Sequence, residues 1–259
     1  MSEFKINASD RFEHLPNAPI VEALIDFRAR ATVPWDEASF GEALKPMLPD
    51  YPTMTVQNSL VVGLMLKPGI SAETREHDSW KGLQFKSADG FSIATFNRDG
   101  FTFSRLRPYQ DWNHLEDETI RLWKLHSELV RPAEIQRMGV RFINRIDLPN
   151  DGKVRIEDYI DPYPLEPKGL ELPFAGFLHI DTFAVPGYSY SLNVARNFQP
   201  PQPPLSAAWG FILDIDVSTL QSLEIGDFEG IKKRFSEMRW LKNKAFFGSI
   251  TERTKQSYK

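Results

Sequence analysis

Two Asp-Gly pairs constrain the fold of this chain more than any other local feature. The stretch GLQFKSADGFSIATFNRDGFTFSRLRPY (82–109) contains Asp89-Gly90 and Asp99-Gly100, which separate three short runs rich in Phe, Ile and Thr. Asp-Gly favours tight hairpin turns because these residues tolerate positive φ angles, and the flanking runs have the composition of strands. The sequence therefore predicts a three-stranded antiparallel meander here.

Other segments extend this pattern on both sides of the meander. Strand-like runs occupy six further segments, at 20–31, 55–67, 137–148, 176–185, 188–198 and 209–217. Helical signals cover 35–45, 113–130 and a final segment capped by Asp227, and a capping box of Asn113 with Glu116 is expected to start the second helix. Polar residues 68–80 predict a surface loop, and two proline-rich connectors lie at 161–174 and 199–204.

The order of these elements predicts an α+β fold. It is read as two similar halves, each a strand–helix–antiparallel meander–long helix unit, with the sheets packed against the helices. We expect a flexible N-terminal segment at 1–14, an N-terminal half at 15–133 and a C-terminal half at 134–259, integrated into one domain. The halves are expected to share one continuous sheet or to pack two sheets face to face.

Composition and motifs exclude several classes of protein. The 259 residues include no cysteine, which excludes disulfides, thiolate metal sites and a cysteine nucleophile. The N-terminus does not have the form of a secretory signal, and no apolar run is long enough to span a bilayer, so a cytoplasmic protein without a membrane partner is predicted. No Gly-rich phosphate loop, nucleophile-elbow serine or His-Glu-x-x-His motif is present, so the sequence leans away from an enzyme.

The strand RMGVRFINRID (137–147) carries an unusual number of polar side chains. Arg141, Asn144 and Arg145 form a candidate anion-binding site, since guanidinium groups match carboxylate and phosphate geometry. The alternative is structural: carboxylates such as Glu22 or Asp26 neutralise the arginines, and the asparagine amide is hydrogen-bonded inside the protein.

A candidate metal site comes from two later strands. His179 with Asp181, and Asp214 with Asp216, are pairs at alternate positions, so each pair shares one face of its strand. If those strands were neighbours, the four side chains could converge on Mg²⁺ or Mn²⁺. The alternative is the ordinary polar face of an antiparallel strand.

The last helix carries a candidate interaction surface. Its members are large aromatic and basic residues on the side opposite the apolar face: Lys233, Trp240, Lys244 and Phe247. The segment 232–259 has nine basic and two acidic residues on an otherwise acidic chain, so an acidic partner or nucleic acid is also considered. The overall acidity argues against a dedicated nucleic-acid binder, and a neighbouring element could instead cover the aromatic rings.

Three short motifs resemble a known family. LPNAPIVEA, RMGVRFINRI and FFGSIT, spread from Leu15 to Thr251, are similar to a sporadically distributed bacterial family of uncharacterised proteins of about 250 residues, which is catalogued by number. The patchy occurrence of that family implies an accessory role, of the defence or toxin–antitoxin type, and supplies no catalytic residues. We therefore expect a non-catalytic component that binds a protein partner, with homo-oligomers possible. The alternative is a ligand-binding protein or enzyme with an anion or metal site between the halves.

Overall fold

A computed structural model describes residues 4–33, 36–65, 73–149, 155–161, 176–199, 201 and 208–259, with only the main chain described at 59–65 and 73–79. Its strands are β1 Ile20–Arg28, β2 Thr53–Met65, β3 Glu73–Lys86, β4 Ser92–Asn97, β5 Gly100–Leu106, β6 Arg137–Asp147, β7 Phe177–Ala184, β8 Tyr190–Gln199 and β9 Gly210–Thr219. Its helices are α1 Glu37–Leu44, α2 Trp112–Val130, α3 Phe228–Phe247 and α4 Glu252–Gln256, with 3₁₀ turns at Lys45–Met47 and Ile156–Asp158.

The nine strands form one continuous antiparallel sheet in the order β2-β3-β4-β5-β1-β6-β9-β8-β7. The predicted α+β class is confirmed, with a single sheet rather than two. The pair β1 and β6 lies at the centre, where Ile25 faces Val140 and Phe27 faces Met138.

Helices cover one face of this sheet. The first helix α1 packs on β3, α2 on β5 and β1, and α3 on β6, β9 and β8. Alternation along β6 explains the choice of face, because Val140, Phe142 and Ile146 point toward the helices and are at most 1% exposed. We call this side the helix face and the other side the open face.

Aromatic rings join the two long helices above the central strands. The ring of Phe27 on β1 stacks on Trp123 of α2, with centroids 4.4 Å apart. The same ring meets the edge of Phe235 on α3 at 5.9 Å, and Phe235 also contacts Trp112 at the start of α2. These large apolar surfaces supply much of the core and fix α2 and α3 side by side.

The predicted meander is confirmed as the end of β3 with β4 and β5. Gly90 has a φ of 77°, so the first turn uses the backbone freedom of glycine. Gly100 is different, because it begins β5 without a positive φ. A Cβ at Gly100 would lie 2.1 Å from the carbonyl oxygen of Phe27, so close approach to β1 requires glycine there.

Two local predictions were wrong. Residues 73–80 belong to β3 and not to a surface loop, because main-chain pairing with β2 holds a strand whatever the polarity of its side chains. The first turn of α2 is capped by Asp111, whose Oδ1 accepts from the amide of His114 at 2.8 Å. The Asn113/Glu116 capping box does not form, since the helix starts two residues earlier than that motif requires.

The proline-rich connector at 161–174 and most of the one at 199–204 lie outside the described residues. The predicted cap of the last helix is confirmed, with Asp227 accepting from the amide of Gly230 at 2.8 Å. Within the described ranges, no helix has both the length and the apolar character needed to cross a bilayer.

Candidate functional site

The three residues of the candidate anion site do not point to one place. Arg141 lies on the open face and holds both oxygens of Asp214, through Nε at 2.8 Å and Nη2 at 2.5 Å. Asn144 lies on the helix face, is 2% exposed and donates to the carbonyl oxygen of Leu213 at 3.0 Å. Arg141 and Asn144 therefore serve opposite faces of the sheet.

Arg145 occupies the end of β6, where it is held by β9 and by its own strand. Its Nε donates to Asp147 at 2.8 Å, and its Nη2 donates to the carbonyl oxygen of Ala208 at 3.2 Å. The guanidinium packs across Gly210, where a Cβ would meet Arg145 Cζ at 2.4 Å. Arg145 is thus engaged locally, although it borders the cavity that is described below.

A chain of ion pairs crosses the open face at the centre of the sheet. Arg137 donates to Asp26 of β1 at 2.6 Å and to Asp216 of β9 at 3.2 Å. Burial raises the pKa of Asp216, and the charge of Arg137 opposes that rise. Arg137 and Arg141 are therefore both paired with carboxylates of neighbouring strands. Glu22 or Asp26 was the suggested partner of Arg141, and the structure has Asp214 instead.

The four residues of the candidate metal site are kept apart. Strand β8 lies between β7 and β9. Asp181 pairs in register with Val194 and faces the helix side, whereas Asp214 and Asp216 face the open side. His179 Nε2 lies 2.9 Å from Asp181, which also accepts from Arg196 at 2.6 Å. In the described part of the chain, no group of three or more His, Cys, Asp or Glu side chains could hold a metal ion.

The N-terminal segment (residues 4–14) covers the aromatic part of the candidate interaction surface on α3. The ring of Phe4 meets Trp240 with centroids 6.0 Å apart, and Phe12 stacks on Phe247 at 5.7 Å with an angle of 7°. Trp240 is consequently only 8% exposed. The segment was predicted from its polarity to be flexible, yet its two phenylalanines contact α3.

Charges reinforce the same contact. Asp10 accepts from the indole Nε1 of Trp240 at 2.8 Å and lies 3.8 Å from Lys244. Glu13 pairs with Lys255 at 3.3 Å and with Lys259 at 2.7 Å. Lys233, the remaining member of the set, is exposed. The basic C-terminal segment is therefore partly neutralised by carboxylates of the N-terminal segment.

Beneath the N-terminal segment lies a cavity of about 1080 Å³. Its walls are residues 8–18, the loop that leads from β5 into α2, the end of β6 and the inner side of α3. This volume is at the upper end of the range that small-molecule sites occupy. Two residues of the predicted anion site and two of the predicted interaction surface border it, namely Asn144, Arg145, Trp240 and Phe247.

Three arginines on the cavity wall have no carboxylate partner. Arg11, Arg107 and Arg239 line the cavity, and none of them forms an ion pair with any residue in the described ranges. The acidic residues on the same wall are already engaged by other groups: Asp10 and Glu13 by lysines, Asp111 by the α2 cap and Asp147 by Arg145. The cavity therefore has excess positive charge.

Aromatic side chains complete the wall. The guanidinium of Arg239 lies 5.4 Å above the ring of Trp112. Burial raises the pKa of Tyr258 to about 12, with the charge of Arg107 opposing the rise. Burial likewise raises the pKa of Tyr109, and Arg239 opposes that shift. The charge of Arg107 therefore acts on Tyr258, and that of Arg239 acts on Tyr109. Cations beside neutral aromatic rings suit a ligand with an anionic part and a planar part.

Lys242 projects from α3 toward the floor of the cavity. Its Nζ lies 3.9 Å from the ring centroid of Phe142, a residue that is 1% exposed. Burial, the larger cause, and the charge of Arg239 together lower the pKa of Lys242 to about 7. No carboxylate of the described chain pairs with this amine. No sequence pattern distinguishes Lys242, because it is one of several basic residues in a basic helix.

Searches against models of known protein families and against curated proteins find no match for this chain. Any function is therefore inferred from the cavity and its charges.

Proposed function

We propose that the protein binds a small anionic ligand in the cavity between the N-terminal segment, α3 and the end of β6. The observation that carries this proposal is a set of three arginines, Arg11, Arg107 and Arg239, that have no ion-pair partner among the described residues. They lie on a wall whose carboxylates are all engaged. An arginine without a counter-ion beside a partly enclosed space favours a carboxylate or phosphate ligand, which it can hold with two parallel hydrogen bonds.

The contrast with the open face supports this assignment. There Arg137 and Arg141 each bind carboxylates of neighbouring strands and have no need of a ligand. Around the cavity, Trp112, Tyr109 and Tyr258 add aromatic surface next to the cations. A ligand with a planar ring and a negative group would use both features, since arginine and aromatic side chains bind planar anions by stacking and ion pairing.

Binding can be tested with inorganic phosphate and adenosine monophosphate as probes, by thermal shift and titration calorimetry. We expect the nucleotide to bind more tightly than phosphate, and its affinity to fall as salt is added. Arg107→Ala and Arg239→Ala should each weaken binding about 10- to 100-fold, because each removes a charged hydrogen bond worth about 1.5–3 kcal/mol.

Arg98 provides the matched control, because it is an exposed arginine in the β4–β5 turn, away from the cavity. Arg98→Ala should leave the affinity unchanged. Equal affinity in all three variants, or a parent protein that gains no stability with either probe, would contradict the proposal.

Binding of a protein partner is a second candidate function, and the contact of the N-terminal segment with α3 supports it. Two phenylalanines of a polar segment, Phe4 and Phe12, cap Trp240 and Phe247, which is how an aromatic surface recognises an extended peptide. A partner of an accessory bacterial system could present a similar peptide. A synthetic peptide of residues 1–14 should then bind a variant that lacks those residues, and a peptide with both phenylalanines replaced by alanine should not.

The strand order supports a related proposal, that residues 15–133 and 134–259 are two halves of similar design. From the central pair β1 and β6, the strands run outward as β5-β4-β3-β2 on one side and as β9-β8-β7 on the other. In the N-terminal half the last strand, β5, lies next to the first, β1, and in the C-terminal half the last strand, β9, lies next to the first, β6. This common order is what a duplication followed by divergence would leave.

A further inference from the structure

Building on the proposed anion-binding function, we propose that Lys242 is a nucleophile that forms an imine with an anionic aldehyde or 2-oxo acid bound in the cavity. Lys242 lines the cavity, and its amine lies over the ring of Phe142 with no carboxylate of the described chain as partner. Arg239, three residues earlier on the same helix, is placed to hold the anionic group of such a ligand.

The environment of the amine favours its neutral form. An apolar floor and a neighbouring guanidinium both disfavour the ammonium ion, and together they lower the pKa of Lys242 to about 7. At neutral pH a pKa lowered this far leaves far more free amine than the roughly one in a thousand of an ordinary exposed lysine. Burial beside a second cation is a recognised way to activate a lysine for attack on a carbonyl.

The chemistry needs no oxidant or reductant. The lone pair of the neutral amine attacks the carbonyl carbon, the C–N bond forms, and the carbonyl π electrons move to oxygen. The oxygen then takes up a proton as the nitrogen gives one up, which leaves a neutral carbinolamine. The resulting carbinolamine loses its hydroxyl group with a second proton as water, which leaves a protonated imine. The buried phenol groups of Tyr109 and Tyr258 are un-ionised at neutral pH and line the same cavity, where they can donate hydrogen bonds to the oxygen.

Reductive trapping tests this proposal on the full-length protein. The parent is incubated with glyoxylate and cyanoborohydride, and the modified lysines are identified by peptide mass spectrometry. Lys244 is the comparison, because it lies two residues further along the same helix, is exposed and pairs with Asp10 of the N-terminal segment. We expect Lys242 to be alkylated at least about tenfold faster than Lys244. The rate at Lys242 should rise from about pH 6 to a plateau above about pH 8.

Matched variants separate this proposal from a merely accessible amine. Lys242→Met keeps an unbranched side chain at the site and should abolish the adduct, whereas Lys244→Arg should leave the modification of Lys242 unchanged. Acetaldehyde, which has no anionic group, should react with Lys242 at least about tenfold more slowly than glyoxylate, since it lacks the contact with arginine. Arg239→Ala should reduce this preference.

The outcomes also separate this proposal from the function on which it rests. If phosphate and adenosine monophosphate bind but glyoxylate labels lysines evenly, the imine proposal is overturned and anion binding stands. If no probe binds and no selective adduct forms, both are overturned. Selective labelling of Lys242 without a preference for glyoxylate over acetaldehyde would overturn the assignment to anionic carbonyl compounds.

Discussion

His126 on α2 is buried without a polar partner in the part of the chain that the structure describes. Its side chain is 0% exposed, and neither ring nitrogen has a hydrogen-bond partner among those residues. The rings of Phe40, Phe96, Phe101 and Trp123 surround it. Burial alone lowers the pKa of His126 to about 3. His126 lies on the side of α2 that faces the sheet, where the packed aromatic rings surround it.

This histidine should make the protein sensitive to acid. Because its folded pKa lies below its unfolded value of about 6.5, the unfolded state takes up a proton first as the pH falls. His126 should therefore reduce the free energy of unfolding by about 1.4 kcal/mol for each pH unit below about 6.5, until its folded pKa is reached. Urea unfolding of His126→Leu should show a shallower loss between about pH 6 and pH 4.

His114 is the control for this experiment, because it lies exposed on the same helix. His114→Ala should retain the acid sensitivity of the parent. His126→Leu should also be more stable than the parent at neutral pH, since it removes two unsatisfied polar atoms from the core. Equal slopes for the parent and His126→Leu would show that another group is responsible.

At the level of elements, the contact between the N-terminal segment and α3 joins parts of the chain that are far apart in sequence. Phe12 and Phe247 stack in parallel, with Lys244 placed 5.7 Å from the ring of Phe12. Stacked aromatic pairs contribute about 0.5–1.5 kcal/mol beyond the area that they bury. We therefore expect Phe12→Ala and Phe247→Ala to be coupled by about 1 kcal/mol in a double-mutant cycle of urea unfolding. Strictly additive losses would mean that the segment does not stabilise α3.

Secondary structure was largely predictable, because it depends on local patterns. Asp-Gly turns identified the meander, and strand-like runs identified most of the other strands, β6 among them. The candidate site was not predictable in the same way. Arg11, Arg107 and Arg239 line its cavity. They lie in the N-terminal segment, the β5–α2 loop and α3, and only the packing of these three elements brings them together. No local pattern distinguishes an arginine with a partner from one without.

Some signals for the N-terminal contact were nevertheless present in the sequence. Phe4 and Phe12 stand in a polar segment that also carries Asp10 and Glu13, and the last helix offers aromatic rings and lysines. The acidic residues and phenylalanines of the N-terminal segment complement the lysines and aromatic rings of the last helix, and this favours a contact between them. They could not decide whether the partner was another protein or the N-terminus of the same chain, since both would provide the same chemistry.

For the whole molecule, the main-chain ladder between β1 and β6 is the seam between the two halves of the sheet. Ion pairs strengthen this seam on the open face, which no described helix covers. Arg137 of β6 connects Asp26 on one side of it with Asp216 of β9 on the other. All three side chains are between 22% and 27% exposed, so water screens their interaction only partly.

Arg137→Ala should therefore destabilise the protein more at neutral pH than in mild acid. Burial already raises the pKa of Asp216, and loss of the arginine that opposes this shift should raise it further. A carboxyl group with a raised folded pKa is neutral in both states at low pH, and its penalty develops as the pH rises from its unfolded to its folded value. We expect a loss of about 1–3 kcal/mol at pH 7, and a smaller loss near pH 4, by urea unfolding of variant and parent at each pH.

The second substitution Asp216→Asn should recover part of this loss in the Arg137→Ala background and flatten its dependence on pH, because the buried negative charge is then absent. Arg155→Ala is the matched control. Within the described part of the chain Arg155 pairs with exposed Glu157, outside the sheet, so its loss should change stability little at either pH. If Arg137→Ala lost the same free energy at both pH values, the guanidinium would act through packing of its stem. The two halves would then be held together by the main-chain ladder and the core alone.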